Sequence, residues 1–274
     1  MIPVLFHLGP IPIYSFGLMM SLAFLTAGYV MQRDFARKKE PPGLAWDIVI
    51  FGIFGGLLGA RLHQALHYWK DFLADPVGFL TAQSGLVWYG GALGGVLATV
   101  WPIRRAHVRY ASALDTGALG LSIGLAIGRV GCHLAGDGDW GTPTTLPWGM
   151  AYTNGIVPWP HPPGVVVHPA PLYEMVAMIG VFTLLLYLRT RVAPSGAVFA
   201  IYLLLAALTR LTIEFVRTNP AVLLGLTEPQ WTSIVLAAGA TVWLWRHLQI
   251  GVAQQRAPAR HAAPQPPRPV RRRG

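Results

Sequence analysis

The chain has 274 residues, of which 53% are hydrophobic and only 12% are charged. Soluble domains carry about a quarter charged residues, so this composition excludes an ordinary soluble domain and predicts a membrane protein with several helices in the bilayer. Cys132 is the single cysteine, which excludes a disulfide framework within the chain.

Seven apolar segments predict an all-α polytopic membrane protein with about seven transmembrane helices. They cover approximately residues 12–32, 44–68, 85–103, 111–131, 171–189, 195–216 and 229–248. Residues 1–11 contain no lysine or arginine, so the first segment is predicted to be a membrane helix and not a cleavable signal peptide. Residues 1–249 are expected to form one transmembrane domain.

The distribution of basic residues predicts the orientation of these helices. The net charge is +10, and most of the 21 lysines and arginines lie in alternate connections and in the tail. Because positive residues stay on the cytoplasmic side, the N terminus is predicted outside and the C terminus inside. Residues 250–274 are predicted to be a disordered basic tail. The basic excess therefore reflects topology and anionic lipid, and no nucleic-acid partner is expected.

Four arginines do not follow this pattern, because they lie within or at the ends of the second, fourth and sixth segments. They are Arg61, Arg129, Arg210 and Arg217. All three segments are predicted to run outward, so these side chains should meet near the outer face, and ionisable residues at membrane depth mark functional sites. Glu214 shares a helix face with Arg210 and Arg217, and it is expected to neutralise one of them and leave the other positive. The sequence thus predicts an anion site.

Residues 128–141, with the sequence GRVGCHLAGDGDWG, mark the change from an apolar segment to a long connection. Arg129 stands at this boundary. The connection over residues 132–170 contains no lysine or arginine, is rich in Pro, Gly and Trp, and is predicted to lie on the outer membrane surface as a lid or platform. Glu174 follows near the start of the fifth segment, where the helix dipole favours an anion.

Three further patterns have structural interpretations. Small residues recur every four positions over residues 52–60, which predicts a close helix crossing. Ser122 lies in a Gly-Leu-Ser-Ile-Gly sequence typical of serine hydrolases, but that motif needs a strand–turn–helix context and here lies inside an apolar helix. His63 and His67 are one turn apart, but no third ligand is evident, so interfacial histidines are favoured and no metal is expected.

Eight sequence blocks, in order over about residues 10 to 245, resemble the prolipoprotein diacylglyceryl transferase family. They are YSFGLM, GLLGARL, GLVWYGGALGGV, GRVGCHLAGDGDWG, LPWGM, HPAPLYE, RLTIEFVR and GLTEPQW. The resemblance implies a transferase of the bacterial inner membrane that needs no cofactor. It would move the diacylglyceryl group from phosphatidylglycerol, a membrane lipid, to the lipobox cysteine of prolipoproteins, with release of glycerol phosphate.

The resemblance also implies site residues. Arg129 and Arg210 are expected to hold the lipid phosphate and the leaving group, with Tyr89 as a third catalytic residue that donates a hydrogen bond. The other expected substrate-binding residues are Arg61, Asp137, His168, Glu214 and Arg217. His168 and Glu214 are also possible acceptors of the substrate thiol's proton.

The chain departs from the family at several positions. Cys132, His133, Ala135 and Asp137 stand where the signature has Asn, Phe, Asn and Glu, and one residue is inserted before Trp140. Tyr89 replaces a frequent histidine, and Phe16 replaces a frequent tyrosine. These departures leave open a paralogous transferase with another acceptor or lipid. A small-solute transporter is a further alternative, although transporters usually show internal repeats and helices broken near the midplane.

Overall fold

The computed structural model describes residues 1–81, 88–192 and 194–256, and most of them are helical. The elements, in chain order, are β1 (Val4–Leu8), β2 (Ile11–Tyr14), α1 (Ser15–Arg37), α2 (Leu44–His67), α3 (Trp69–Ala74), α4 (Pro76–Thr81), α5 (Trp88–Arg105), α6 (Tyr110–Ala135), α7 (Ala170–Leu188), α8 (Ala197–Glu214), β3 (Ala221–Leu223), β4 (Leu226–Thr227) and α9 (Glu228–Arg256). The strands form two separate antiparallel hairpins, β1 with β2 and β3 with β4.

Each of the seven predicted apolar segments coincides with one long helix. Within the described residues, five helices are long and apolar enough to cross a membrane, namely α1, α2, α6, α7 and α8. The predicted start of the third segment, at residue 85, lies outside the described residues. The ninth helix continues to Arg256, and residues 257–274 of the predicted tail also lie outside the described residues.

Helix α6 extends beyond its predicted end at residue 131. It ends at Ala135, because Gly136 adopts the left-handed conformation with φ of 62° that stops a helix. Cys132 and His133 are therefore on the last turn of α6 and not in the predicted connection 132–170. No left-handed glycine and no proline interrupts α6 before Gly136. The helix therefore continues beyond the end of the apolar pattern.

The predicted close crossing of small residues brings α2 against α5. A methyl group added at Gly59 would lie 2.3 Å from the carbonyl oxygen of Gly90, and one added at Gly94 would lie 2.3 Å from the carbonyl oxygen of Gly55. Only glycine allows backbones to approach this closely. Ser122 is buried inside α6 and donates to the carbonyl oxygen of Leu119, so the serine motif lacks the context of a nucleophile, as predicted.

Two apolar clusters hold the bundle together. One joins α6, α7 and α8 through Leu119, Met178 and Val198, and the other joins the ends of α1, α2 and α5 through Phe35, Leu44 and Ile103. Many large apolar side chains on the outer helix faces remain exposed. This pattern is typical of helices that face lipid.

The segment between α6 and α7 folds over the ends of these helices. Its core contains Trp140, Tyr152 and Val167, and the Trp140 and Tyr152 ring centroids are 5.2 Å apart. The His133 imidazole lies 3.0 Å from the Tyr152 hydroxyl, which ties the segment to the last turn of α6. Backbone bridges also pair Gly141 with Arg217, just beyond α8. The connection is therefore a packed structure whose position is fixed by α6 and α8.

Candidate functional site

Three arginines and three carboxylates form a closed ring of ion pairs, in which each side chain contacts two of opposite charge. We call this set the charge ring. Its pairs, in order, are Arg129–Asp139, Asp139–Arg217, Arg217–Glu214, Glu214–Arg210, Arg210–Glu174 and Glu174–Arg129. Three of the four arginines predicted to converge thus meet, at the C-terminal ends of α6 and α8 and the N-terminal end of α7, and Arg61 is not a member of the ring.

The geometry of the pairs shows which contacts are hydrogen bonds. Arg217 Nη2 lies 2.6 Å from Asp139 Oδ1, and Arg210 Nη2 lies 3.0 Å from Glu214 Oε2. Arg210 Nη1 donates to Glu174 Oε1 at 3.2 Å, whereas Arg217 Nε is 3.7 Å from Glu214 Oε2. The Arg217–Glu214 contact is an ion pair only, because this distance is too long for a hydrogen bond. The Arg210–Glu214 contact is also an ion pair only, since Glu214 Oε2 has no hydrogen-bond partner among the described residues.

Side-chain exposure defines an open side and a closed side of the charge ring. Glu174 and Glu214 are 5% and 0% exposed, and Arg217 is 8% exposed. Arg129, Arg210 and Asp139 are 18%, 25% and 31% exposed. A ligand can therefore approach the guanidinium groups of Arg129 and Arg210, while Arg217 is enclosed.

The charges of the ring cancel, which corrects one expectation. Glu214 contacts both Arg210 and Arg217, and Asp139 and Glu174 supply two further negative charges. Neither arginine is left as the unpaired positive charge that sequence reasoning expected. The reason is that a buried guanidinium needs nearby carboxylates to offset its desolvation, and these come from elements distant in sequence. An incoming anion must replace carboxylate contacts.

Glu214 is also occupied on its second oxygen. Its Oε1 accepts from Asn219 Nδ2 at 2.7 Å and from Thr227 Oγ1 at 2.8 Å, while its Oε2 faces the arginines. Gln230 Oε1 in turn accepts from the Thr227 amide at 2.9 Å. Glu214 Oε2 contacts the arginines through ion pairs only, and it has no hydrogen-bond partner among the described residues. That Glu214 accepts the proton of the substrate thiol therefore stays a prediction.

Backbone pairing places Asp139 on the ring. The Gly141 amide donates to the His168 carbonyl at 2.8 Å, and a methyl group at Gly141 would lie 2.4 Å from the carbonyl oxygen of Val216. Burial of Asp139 opposes its ionisation, but Arg129 and Arg217 outweigh this effect and hold the pKa of Asp139 below its usual value. Asp139 is therefore the ionised loop carboxylate of the site.

Sequence reasoning missed two members of the ring. It assigned substrate binding to Asp137 and no role to Asp139, and it explained Glu174 by the helix dipole alone. The signal for Asp139 was the inserted residue before Trp140, because an insertion leaves the carboxylate of the signature with two possible equivalents. No local pattern distinguishes Glu174 from an ordinary acidic residue near the start of a helix.

Asp137 lies beside Cys132 on the same side of the loop. Burial raises the pKa of Asp137, and the negative charge of Asp139 adds to this effect. Among the described residues, Cys132, Asp137 and Asp139 are a group whose ligand atoms lie within 4.8 Å of one another, as in a metal site. However, Arg129 and Arg217 contact the two oxygens of Asp139, so this group is arranged around guanidinium cations.

His168 is oriented by a tyrosine and a tryptophan. Trp148 Nε1 donates to the Tyr173 hydroxyl at 2.8 Å, and that hydroxyl lies 3.2 Å from His168 Nδ1. These contacts fix the orientation of the imidazole ring through Nδ1. That His168 binds the substrate or accepts the thiol proton stays a prediction.

Tyr89 and Arg61 lie on the second helix pair. Tyr89, at the start of α5, is 40% exposed, and its hydroxyl interacts with Glu228 and Thr232 on α9 and is within electrostatic range of Arg210. Arg61, on α2, donates to Gln64 Oε1 at 2.9 Å and to the carbonyl oxygen of Phe79 at 3.3 Å. Tyr89 is thus connected to the charge ring through Arg210, whereas these Arg61 contacts are made with α2 and α4.

Comparisons with known proteins show the family of this chain. The family model described as prolipoprotein diacylglyceryl transferase matches residues 3–246. A phosphatidylglycerol–prolipoprotein diacylglyceryl transferase of Coxiella burnetii is 31% identical over 259 residues, which cover 89% of this chain and 96% of the relative. A protein of the same name from Nitratidesulfovibrio vulgaris is 34% identical over 242 residues, which cover 85% of this chain and 86% of the relative. The chain belongs to the prolipoprotein diacylglyceryl transferase family.

Proposed function

We propose that this chain transfers the diacylglyceryl group of phosphatidylglycerol to the lipobox cysteine thiol of a prolipoprotein, with release of glycerol phosphate. The observation that carries the proposal is the charge ring at one end of α6, α7 and α8. Its open side presents two guanidinium groups at the boundary of three apolar helices. Family membership and the names of the relatives support the same lipid and protein substrates.

The reaction forms one bond and breaks one bond. The sulfur of the substrate cysteine attacks the terminal glyceryl carbon of the lipid, the carbon–oxygen bond to phosphate breaks, and its electron pair leaves on the phosphate oxygen. A phosphodiester with one negative charge thus becomes a phosphomonoester with additional charge. Guanidinium groups that are already oriented stabilise this developing charge more than the ground state.

Arg129 and Arg210 are placed to hold the phosphate. Both contact Glu174 and both are partly exposed, so phosphate oxygens can replace carboxylate contacts on the open side of the ring. A guanidinium pairs with phosphate through two parallel hydrogen bonds and remains charged when water is excluded. The enclosed Arg217 and Glu214 keep the other two arginines in position.

The remaining side chains bind and orient the substrates. Tyr89 donates from its hydroxyl toward the lipid phosphate or glycerol. Asp137 and His168 bind the substrate from the segment between α6 and α7, and Arg61 supports binding from α2. The substrate thiol, with an ordinary pKa near 8.5, ionises more readily beside the exposed guanidinium groups of Arg129 and Arg210. Its proton passes to His168 or Glu214.

We also propose a topology for the site. All seven long helices span the bacterial inner membrane as one domain over residues 1–249, with the N terminus outside and a cytoplasmic basic tail over residues 250–274. The charge ring then lies at the outer face, where prolipoproteins arrive. The opposite helix ends carry Arg37, Lys38 and Arg189, which supports this orientation. The basic residues serve topology, and nucleic acid is not a partner.

Complementation tests this proposal. The gene is expressed in a bacterial strain depleted of its own transferase, and the mass shift of a reporter prolipoprotein is measured. We expect lipidation on the reporter's lipobox cysteine, and none with the Arg210→Ala variant or with a cysteine-to-alanine reporter. An unmodified reporter, despite membrane insertion of the chain and rescue by the host enzyme, would contradict the proposal.

A second candidate is a paralogous transferase that uses another acceptor or lipid. The observation that favours it is the altered signature. The carboxylate that contacts Arg129 is Asp139, which follows an inserted residue, and Cys132 Sγ lies 3.7 Å from the Arg129 guanidinium. Purified chain incubated with phosphatidylglycerol, and separately with phosphatidylethanolamine, distinguishes the two. Transfer only from the second lipid, or only to proteins without a lipobox, would favour the paralogue.

A further inference from the structure

A second polar pocket lies at the opposite ends of the same helices. It has a volume of about 220 Å³ and opens between the end of α1, the start of α6 and the connection from α7 to α8. Its charged and hydroxyl-bearing lining residues include Asp34, Arg37, Lys38, Asp115, Arg189 and Ser195. No part of the proposed reaction uses these side chains.

The pocket is well separated from the charge ring. Asp115 precedes Arg129 on α6 by about 14 residues, which corresponds to about 21 Å along a helix. Glu174 and Arg189 are separated along α7 by a similar distance. The two sites therefore lie near opposite surfaces of the bundle, and a ligand of one cannot reach the other.

Positive charge exceeds negative charge in the pocket. Asp34 is 1% exposed, and its carboxylate receives three cations. Arg37 Nε donates to Oδ1 at 2.9 Å, Lys38 Nζ lies 3.2 Å from Oδ2, and Arg189 Nη1 donates to Oδ1 at 3.0 Å. Thr116 Oγ1 also donates to Oδ2 at 2.8 Å. One carboxylate cannot neutralise three cations.

The second carboxylate of the pocket is occupied elsewhere. Asp115 Oδ2 accepts from the Gly196 amide at 2.7 Å, and its Oδ1 accepts from the Phe199 amide at 2.9 Å. Asp115 thus caps the start of α8, and its charge offsets the positive end of that helix dipole. Asp115 also interacts electrostatically with Lys38. Three cations and two carboxylates line the pocket, so one positive charge remains in excess.

One buried donor on a residue that lines the pocket has no acceptor among the described residues. Within the part of the chain that the structure describes, Arg189 Nε is buried and has no hydrogen-bond partner. A buried polar donor is almost always paired, so this one is available to an oxygen of a bound ligand. A guanidinium matches two oxygens of a phosphate group.

We propose that this pocket binds a phosphate-bearing anion, either the headgroup of an anionic membrane lipid or a free phosphate ester. A cavity of about 150 Å³ admits a molecule the size of benzene, so 220 Å³ accommodates a phosphate group with part of its ester. The pocket itself does not depend on the proposed transferase activity. Only the assignment of a lipid ligand to the cytoplasmic leaflet depends on the proposed topology.

Two probes distinguish the sources of the anion. Full-length chain is purified in a neutral detergent and titrated with inorganic phosphate, followed by ³¹P NMR. In parallel, it is placed in phosphatidylcholine nanodiscs with phosphatidic acid, and bound lipid is counted by native mass spectrometry. Phosphatidic acid lacks the headgroup glycerol of phosphatidylglycerol, so it cannot release glycerol phosphate as the proposed reaction requires. Binding of the lipid alone identifies a headgroup site, and binding of inorganic phosphate supports a site for soluble phosphate esters.

Matched variants locate the binding. Ser195→Asp adds negative charge at the mouth of the pocket and leaves the Asp34 ion pairs in place, and Ser195→Asn is its control. Arg189→Gln removes the unpaired donor. Its control, Arg191→Gln, removes an exposed arginine that stacks on Tyr187, 3.8 Å from the ring centroid. We expect Ser195→Asp and Arg189→Gln each to weaken binding at least about tenfold, and the controls to change it less than about twofold.

The results separate a ligand site from a purely structural ion network. If neither probe binds, or if Ser195→Asp binds as tightly as the unmodified chain while remaining folded by thermal melting, the proposal is wrong. Lipidation by Ser195→Asp is measured alongside. Lost anion binding with normal lipidation supports a separate site. If no variant lipidates any precursor, the transferase proposal fails and the binding result still stands.

Discussion

Arg217 donates to both the backbone carbonyl and the side-chain carboxylate of Asp139, although the two residues are 78 positions apart. Arg217 Nη1 donates to the Asp139 carbonyl at 2.8 Å, and Nη2 donates to the Asp139 carboxylate at 2.6 Å. Because one guanidinium fixes both backbone and side chain, the loop carboxylate keeps its orientation toward the charge ring. The covering segment is thereby attached to the end of α8.

The first prediction concerns the pH dependence of this attachment. The pKa of Asp139 is lowered on folding, so its stabilisation is complete above its ordinary pKa of about 3.9 and is lost as the pH falls through the lowered value. We expect Asp139→Asn to lower the thermal unfolding midpoint at pH 7, and the difference from the unmodified chain to shrink below about pH 4. Unfolding curves from pH 7 to 2.5 check this. A difference that is constant with pH would contradict it.

The second prediction concerns the two exposed arginines of the ring. Arg129→Lys and Arg210→Lys should each reduce lipidation at least about a hundredfold, or about 2.7 kcal/mol of barrier, because lysine cannot contact two carboxylates and a phosphate with a planar group. Both variants should still insert in the membrane. The control is Arg191→Lys, at the opposite end of the bundle. Near-normal turnover in both ring variants would show that the arginines have no catalytic role.

The third prediction concerns Tyr89, which stands where the family often has histidine. Tyr89→Phe should slow lipidation by about ten- to a hundredfold, or about 1.4 to 2.7 kcal/mol, through loss of a hydrogen bond to the lipid. Tyr89→His should be tolerated, because imidazole can also donate. Both variants are assayed with a precursor peptide in phosphatidylglycerol membranes across pH 6 to 9. Full activity of Tyr89→Phe would reduce Tyr89 to an interfacial aromatic residue.

The fourth prediction concerns Cys132 as a covalent nucleophile. The thiol lies on the last turn of α6 beside Arg129 and Asp137, and the substrate supplies its own thiol for the reaction. Cys132→Ala should therefore retain activity within about fivefold, which is about 1 kcal/mol of barrier. Intact-protein mass spectrometry should find no diacylglyceryl adduct on the unmodified chain. A folded but inactive variant, together with such an adduct, would assign Cys132 to catalysis.

The fifth prediction concerns the crossing of α2 and α5. Gly59→Ala should lower the thermal unfolding midpoint in detergent, because its methyl group would lie 2.3 Å from the Gly90 carbonyl oxygen and force the helices apart. Gly180→Ala is the matched control, since nothing lies within 4 Å of its added methyl group. Equal midpoints for the two variants would show that the close crossing does not limit stability.

The sequence alone determined the helices and part of the site. Seven apolar segments predicted the seven long helices because hydrophobic runs are local and long enough to identify by length. The positions of Arg129, Arg210 and Arg217 at matching segment ends predicted that they meet. Small residues over positions 52–60 likewise predicted a close crossing. Each of these features depends on residues a few turns apart, or on the alternation of helix directions.

Only the tertiary structure decided how the arginines are neutralised. Glu174 begins a different helix from Arg129 and Arg210, and Asp139 lies in a connection whose course depends on the packing of Trp140, Tyr152 and Val167. Helical periodicity relates residues on one face of one helix, so it could place Glu214 between Arg210 and Arg217. Helical periodicity does not show which carboxylate of a loop or of a neighbouring helix reaches the same buried position. Long-range packing determines that contact.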